Sequence, residues 1–403
     1  LICNVGFNQR INKERIERMK FEFATANQII FGPGTAKQIG NLATGLGRRA
    51  MVVTGKTSTR ADFIDQKLDE CAIKSTRFAV GKEPSVPMIV SGVETARSAG
   101  CDLVIAIGGG SVIDSGKAIA AMLSNRGDLN DYLEVIGKGQ SIENAPAPFV
   151  ALPTTAGTGA EVTRNSVLMS PEHNVKVSMR SPLMLPRMAI VDPELTYSMP
   201  PSVTAFTGLD AFTQLLEAFT TKNTNPMTDG ICREGLKRSA GALERAFRSG
   251  DDIQARADMC LASLFGGLAL ANAKLGAVHG IAGPLGGMFT SPHGAVCGRL
   301  LPYVMATNVS ALQKRLPESP ALARYDELAR IVLDDHRALA ADGIKWVQKL
   351  CDQLAMPSLS AYDITEKDIP DIISKSQSAS SMRGNPIELT ESELQDILEQ
   401  AIY

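Results

Sequence analysis

Residues 103–118, LVIAIGGGSVIDSGKA, constrain the fold more than any other segment of the chain. A run of apolar, partly β-branched residues leads directly into three glycines and then into a helical pattern. Polar residues do not alternate with apolar ones in the run, and a continuous apolar strand is typical of a sheet covered on both faces. The glycines permit a tight turn. The segment therefore predicts a buried parallel strand followed at once by a helix.

Strand and helix patterns alternate through the first half of the chain. Apolar runs recur at 50–54, 75–80 and 149–152, with helical patterns between them at 61–72 and 87–99. Such alternation is typical of βαβ units and a parallel sheet. The sequence therefore predicts an α/β domain in this half.

The pattern changes after Asp192, where PELTYSMPPS is typical of a linker. Helical patterns then dominate, at 202–221, 226–249, 252–275, 321–333, 342–354 and 391–402. A chain of 403 residues is long enough for two cores. We predict an α/β domain over 21–200 and an all-α domain over 201–403, after an extension of unknown role at 1–20.

Composition limits the partners of the protein. The formal charge of −2 and the pI near 6.2 leave no general basic field, so nucleic acid and anionic membranes are not expected as partners. The seven cysteines contain no CxxC pair, and no apolar run approaches the ~20 residues of a membrane span. We expect a cytoplasmic protein that binds small molecules.

Two polar turns follow strands of the predicted sheet. Gly108, Gly109 and Gly110 precede a helix whose free N–H groups suit a phosphate, although the segment matches neither the dinucleotide nor the P-loop motif. Residues 153–161, PTTAGTGAE, follow the next strand, so both turns can face one ligand at the same sheet edge. Simpler alternatives are a tight turn and, in the second segment, an ordinary helix start with Thr158 as N-cap in a capping box.

Two of the four histidines, His279 and His293, lie in the glycine-rich segment 276–298. The glycines and prolines there would break a single helix, so the chain is expected to fold back and bring the imidazoles together. Transition metals need three or four protein ligands. From these residues alone, a metal site and two structural histidines both stay open.

Four motifs and two histidine segments together identify a family resemblance. They are FGPG at 31–34, GGGSVID at 108–114, PTTAGTGAEVT at 153–163, GLDAFTQ at 208–214, and the two histidine segments. The chain resembles the iron-dependent, group III alcohol dehydrogenases of the dehydroquinate synthase-like fold over nearly everything from residue 21 to 403. The resemblance implies a nucleotide-binding α/β domain, a helical domain, and a cleft between them where NAD(P) and a divalent metal, iron or zinc, interconvert an alcohol and its aldehyde or ketone. It also implies a homodimer.

The resemblance assigns residues to this site. It implies a metal held by Asp210, Gln214, His279 and His293, of which the aspartate and the histidines are catalytic through the metal. The glycines after the strand, with the serine and the aspartate beyond them, would hold the pyrophosphate, the threonines would lie along the cofactor, and the lysine would contact its ribose. The implied cofactor residues are Gly55, Gly108, Gly109, Gly110, Ser111, Asp114, Thr154, Thr155, Thr158 and Lys176.

The chain departs from the family at the metal site. Gln214 stands where the family usually has a histidine, and its neutral amide oxygen should bind Fe²⁺ or Zn²⁺ more weakly. Gly283 stands where many members have another histidine that relays protons. Cys297, four residues after His293, is placed to approach the site, although a buried structural thiol is the expectation. These departures leave open a nucleotide-binding protein without catalysis. A dehydroquinate synthase-like lyase also stays an alternative, although Asp210 replaces its usual glutamate ligand.

A further departure concerns the cofactor. NAD-preferring members end the first nucleotide-binding strand with an aspartate, whereas this chain has Gly55 followed by Lys56 and Arg60. A basic, hydroxyl-rich loop suits a 2′-phosphate, so we expect NADP(H) to be favoured over NAD(H). Alternatively, both charges are simply solvated.

Overall fold

The computed structural model describes residues 20–403, so the predicted extension lies outside the described residues except for Lys20. The strands are β1 Ile29–Phe31, β2 Arg49–Gly55, β3 Lys74–Val80, β4 Leu103–Gly108, β5 Phe149–Pro153, β6 Asn165–Ser170, β7 Val175–Arg180 and β8 Met188–Val191. A six-stranded sheet has the order β1-β8-β5-β4-β2-β3, and all its neighbouring strands are parallel. A separate antiparallel hairpin consists of β6 and β7.

The sheet is covered by helices, which explains why its strands are continuously apolar. All six residues of β4 and all five of β5 are buried. The helices of this half are α1 Ile39–Ala43, α2 Asp62–Asp69, α3 Val86–Ser98 and α4 Gly110–Ser124. Helix α4 lies close to the sheet, because a Cβ on Gly116 would meet the Phe149 ring at 2.6 Å. The predicted parallel α/β architecture is confirmed.

The strand order positions a ligand crevice. The chain passes from β2 outward to β3 and then crosses back to β4 on the other side of β2. Open α/β sheets bind ligands at the carboxyl ends of the strands where the order reverses in this way. The glycine turn after β4 lies at that point, and α4 begins there at Gly110.

The second half is helical, as predicted. Its helices are α5 Pro201–Thr220, α6 Pro226–Arg248, α7 Ile253–Asn272, α8 Ala277–Met288, α9 His293–Arg315, α10 Pro320–Leu333, α11 Ala340–Gln353, α12 Ile369–Ser378 and α13 Glu391–Ile402. Helix α5 is central: every residue from 208 to 220 is buried, and α6, α7 and α9 pack around it. Within 20–403 no single helix has the length and apolarity of a membrane span, although α7 and α8, bent by 94° between them, pass the same test as a pair.

The prediction that glycines and prolines break the histidine segment is wrong in its position. Gly280, Gly283 and Pro284 lie inside α8, and the chain leaves helical conformation only between α8 and α9. The physical reason is tertiary packing. A Cβ on Gly280 would lie 3.0 Å from the Met382 side chain, so a small residue allows this close approach. Packing therefore outweighs the low helix propensity of these residues.

Candidate active site

Helix α5 presents three polar side chains at helical spacing. Asp210, Gln214 and Glu217 follow one another at intervals of four and three residues, so they share one face. Each is 4% exposed or less. Buried polar groups require partners, and their common face is the side toward which α8 and α9 bring their first turns.

Glu217 caps α8 and orients His279. Its Oε1 accepts a hydrogen bond from the Val278 N–H at 2.6 Å, and its Oε2 lies 2.7 Å from His279 Nδ1. Helix α8 has no cap of its own, because Gly276 precedes it. A carboxylate is favourable at a helix N-terminus, and this one turns His279 Nε2 toward Asp210 Oδ1, 3.3 Å away. The sequence interpretation missed Glu217, although its spacing from Gln214 places it on the predicted ligand face.

His293 and Cys297 approach the same point from α9. His293 Nε2 lies 3.7 Å from Asp210 Oδ1, and Cys297 Sγ lies 3.6 Å from His293 Nε2. The ligand atoms of Asp210, His279, His293 and Cys297 all fall within 4.8 Å of one another. The structure corrects the expectation for Cys297. The thiol is buried as expected, but it belongs to the histidine cluster.

The electrostatics of the cluster favour a bound cation. Burial opposes ionisation of Asp210, but the hydrogen bond from His279 and the nearby His293 outweigh it, so the pKa of Asp210 lies below its usual value. Burial likewise opposes ionisation of Cys297, but the two imidazoles lower the pKa of this thiol. Burial acts to lower the pKa of His279, but the neighbouring Cys297 and Asp210 outweigh it and hold this pKa well above its usual value. A cation can replace the imidazole protons in such an arrangement.

Gln214 leaves a buried acceptor without a partner. Its Oε1 makes no hydrogen bond within residues 20–403. The atom points toward α7, where a Cβ on Gly266 would lie 2.9 Å from it. An unsatisfied buried amide oxygen costs about 1–3 kcal/mol. This orphaned oxygen lies on the residue one helical turn from Asp210, but it faces α7.

A second region of the predicted site is a cleft at the carboxyl ends of β2 and β4. It has a volume of about 250 Å³. Its lining residues are Thr54, Gly55, Lys56, Thr57, Arg60, Ala61, Ile107, Gly108, Gly109, Val112 and Thr154. The structure thus brings Gly55 and its basic loop to the same cleft as the glycine turn. No side chain occupies the space at Gly55, because a Cβ there would have no neighbour within 4 Å.

The two predicted polar turns lie against each other. A Cβ on Gly109 would be 3.4 Å from Thr155, and one on Gly110 would be 2.9 Å from Thr158. Ser111 follows in the first turn of α4, with its backbone carbonyl accepting a hydrogen bond from the Ser115 hydroxyl. Close packing of the two turns leaves the free N–H groups of α4 beside the threonines, which suits an anionic group.

The alternative of a capping box at Thr158 is wrong. A short 3-10 helix, Ala160–Val162, begins after Gly159 with no side-chain cap. Gly159 has φ +59°, and a Cβ on it would lie 2.3 Å from Gly267 of α7. A tight approach to the helical half at Gly159 therefore shapes this turn, and the Thr158 hydroxyl accepts a 3.4 Å hydrogen bond from the Ala160 N–H without forming a capping box. Glu161 is left buried, at 2% exposed.

Of the predicted cofactor residues, Gly55, Gly108, Gly109 and Thr154 line the cleft at β2 and β4, whereas Gly110, Ser111, Thr155, Thr158, Asp114 and Lys176 are not among its lining residues. Asp114 Oδ2 accepts a hydrogen bond from the Val167 N–H at 3.0 Å, and its Oδ1 lies 3.0 Å from the buried Lys117 ammonium. Its carboxylate therefore fastens the β6–β7 hairpin to α4. Lys176 Nζ pairs with Glu83 at 3.1 Å, beside α8. Both residues hold the hairpin that lies between the two halves of the chain.

Comparison with known proteins identifies the family. Residues 26–193 match the model described as iron-containing alcohol dehydrogenase, and residues 204–402 match the C-terminal model of the Fe-containing alcohol dehydrogenase family. The chain belongs to the iron-containing alcohol dehydrogenase family. It is an oxidoreductase that interconverts an alcohol and its carbonyl compound, and membership implies a nicotinamide cofactor and a divalent metal.

Similar proteins cover most of the chain. The 4-hydroxybutyrate dehydrogenase of Cupriavidus necator is 33% identical over 365 residues, 88% of this chain and 92% of that protein. The crystal structure of a 1,3-propanediol oxidoreductase has a TM-score of 0.88 at 32% identity, covering 95% of this chain and all of that one. The sulfoacetaldehyde reductase of Bifidobacterium kashiwanohense, solved in complex with NAD+, has a TM-score of 0.83 at 30% identity over 95% of this chain and 99% of that one.

Proposed function

We propose that this chain is an NADP(H)-preferring dehydrogenase of a small alcohol, with a catalytic divalent metal at Asp210, His279 and His293. The convergence of these three side chains on one point, within 3.7 Å of Asp210 Oδ1, carries the proposal. One carboxylate and two imidazoles form a donor set common in catalytic metal sites. The donors present therefore fit the metal that family membership implies.

The chemistry divides between bound groups and protein. When bound, the metal supplies a Lewis acid for the substrate oxygen and the nicotinamide supplies or accepts the hydride. Glu217 holds His279 by its Nδ1 atom, so that Nε2 stays directed at the ligand point. His293 is the exposed member of the cluster, with 40% of its side chain accessible, against 8% for His279. Substrate therefore approaches from the side of His293.

The cleft beside β2 and β4 supports a preference for NADP(H). Lys56 and Arg60 line it, both are exposed, and neither forms an ion pair within residues 20–403. The nearby acidic residues of α2, Asp62 and Asp65, are paired with Arg77. The basic charge at the cleft is therefore left without a protein counterion, and a 2′-phosphate would supply one.

The remaining parts of the proposal extend the family resemblance. We place the active site between the domains at 21–200 and 201–403, with the predicted cofactor residues on one side and the metal ligands on the other. The near-neutral net charge supports an enzyme of small molecules without a nucleic-acid or membrane partner. A cytoplasmic homodimer belongs to the same proposal.

Steady-state kinetics with NADPH and NADH test the cofactor preference. Loss of one charge-assisted hydrogen bond should lower kcat/KM for NADPH about tenfold in Lys56→Ala, with little change for NADH. Gly55→Asp should reverse the preference, because its carboxylate repels the 2′-phosphate. Lys74→Ala removes an exposed lysine from the amino-terminal end of β3, at the opposite end of the strands from the cleft, and serves as the control. Equal losses with both cofactors in Lys56→Ala would refute the assignment.

Net absorbance change of NADPH with simple aldehydes tests the reaction itself. A dehydrogenase oxidises NADPH stoichiometrically with aldehyde, whereas a lyase returns its cofactor unchanged. Full activity in enzyme shown by elemental analysis to be free of metal would exclude the catalytic metal.

A further inference from the structure

We propose that Cys297 is a fourth protein ligand of the metal, so that a thiolate supplies the donor that Gln214 does not. The inference rests on the metal-binding part of the proposed function. It assigns the ligand set Asp210, His279, His293 and Cys297. Gln214, with its unpartnered oxygen directed at α7, then lies outside this set.

Three separations between the ligand atoms are close to those of a tetrahedral site. Ligand bonds of about 2.0–2.3 Å to oxygen, nitrogen and sulfur place tetrahedral ligand atoms roughly 3.3–3.6 Å apart. Asp210 Oδ1 lies 3.3 Å from His279 Nε2 and 3.7 Å from His293 Nε2. Cys297 Sγ lies 3.6 Å from His293 Nε2. The thiol therefore lies at the separation from His293 that is expected between a sulfur donor and a nitrogen donor of one metal.

The backbone holds α9 in the position that this geometry requires. A Cβ on Gly294 would meet the carbonyl oxygen of Phe206 at 2.1 Å, and one on Gly298 would meet the Leu209 side chain at 2.7 Å. These two glycines let the first turns of α9 lie directly on α5, next to Asp210. His293 and Cys297 are four residues apart, so both project from the same face of α9.

Two other buried cysteines of the helical half have different surroundings. Cys351 Sγ donates to the Gly298 carbonyl oxygen at 3.3 Å, and Cys260 Sγ lies 3.9 Å from the Thr196 hydroxyl. Neither belongs to the cluster of candidate ligands found in residues 20–403. Cys297 instead has an imidazole nitrogen as its neighbour, and it is fully buried.

The donor chemistry selects the ion. Coordination replaces the thiol proton, which leaves to solvent, so one thiolate and one carboxylate balance the charge of a divalent cation. Nitrogen and sulfur donors suit Zn²⁺ and disfavour oxygen-preferring ions such as Mg²⁺. Zinc can expand from four to five ligands, so a fourth protein ligand is compatible with substrate binding on the exposed side at His293.

Cobalt substitution provides a test that does not depend on activity. Co²⁺ bound by a thiolate shows a sulfur-to-metal charge-transfer band in the near ultraviolet. The full chain would be loaded with Co²⁺ and analysed for metal content and absorbance as wild type, Cys297→Ala, Cys297→Ser and Cys232→Ala. Cys232 is the control, because it is a fully buried cysteine of α6 outside the ligand cluster.

We expect one Co²⁺ per chain and a charge-transfer band in wild type and in Cys232→Ala. The band should be absent from both Cys297 variants. Loss of a residue that only hydrogen-bonds to a metal ligand lowers metal affinity roughly 10- to 100-fold. The Zn²⁺ affinity of Cys297→Ala should fall by more than this. One bound Co²⁺ without the band in wild type would overturn the inference and leave the metal proposal standing. A band that persists in Cys297→Ala would also overturn it. Absence of bound Co²⁺ would overturn both. The wild-type spectrum decides even if a variant fails to fold.

Discussion

Replacement of Glu161 by glutamine should stabilise the protein at alkaline pH. Glu161 is buried, and its carboxylate forms no ion pair within residues 20–403. The nearest buried cation, Lys117, is held by Asp114, by Thr163 and by the Asn165 carbonyl. Burial therefore raises the pKa of the Glu161 carboxyl from its ordinary value of 4.5 to about 7.

The magnitude follows from this pKa. In the unfolded chain the carboxyl ionises at its ordinary pKa, but the folded protein keeps the proton until about pH 7. The cost to folding is absent below pH 4.5 and fully present above about pH 7. At ~1.4 kcal/mol per pKa unit, the ionised form costs about 3 kcal/mol. Glu161→Gln removes this cost and keeps the size of the side chain.

Urea unfolding across a pH series tests the prediction. The variant should gain about 3 kcal/mol in free energy of unfolding over wild type at about pH 8, and less than about 1 kcal/mol at about pH 5. Glu172→Gln, at an exposed residue of the β6–β7 turn, should show no such dependence on pH. The reasoning would be refuted if the gain of Glu161→Gln were the same at both pH values, or larger under acid conditions.

Two further changes test contacts that assemble the site. Gly267→Ala should lower the thermal unfolding temperature by several degrees, because its Cβ would lie 2.3 Å from the Gly159 carbonyl oxygen, and an unchanged temperature would contradict the close contact. Glu217→Gln should weaken Zn²⁺ binding about 10- to 100-fold in a chelator competition, because the glutamine amide cannot accept from both α8 and His279 Nδ1. Unaltered Zn²⁺ affinity in Glu217→Gln would show that His279 needs no orientation.

The parallel sheet could be predicted because each of its longer buried strands forms a local apolar pattern in the sequence. The run before the glycine turn is the strand β4, and the predicted runs at 50–54, 75–80 and 149–152 lie within β2, β3 and β5. Strands β1 and β8 were missed, since they have three and four residues and too few side chains to show a pattern. Their pairing is fixed by neighbours far along the chain, which no local pattern records.

The candidate site likewise contains residues that the sequence could indicate and residues that only the structure reveals. His279 and His293 could be singled out from their segment, and Asp210 came from the resemblance of GLDAFTQ to a family motif. Cys297 and Glu217 could not be assigned without the structure. Cys297 joins the cluster only because α9 lies directly on α5, and Glu217 acts only because the uncapped start of α8 meets α5. Both facts concern the contact between helices rather than the sequence of either one.

Helix α8 links the metal ligands to the cofactor side of the proposed site, and its glycines allow this contact. Its first turn carries His279, while its last turn packs against the hairpin strand β7. A Cβ on Gly286 would lie 3.4 Å from Lys176 Nζ, and one on Gly287 would lie 3.3 Å from the Lys176 backbone nitrogen. A larger residue at Gly287 would press against the β7 backbone at Lys176, and Asp114 couples this hairpin to α4. The glycines that suggested a broken helix therefore allow the cofactor side and the metal side to approach each other.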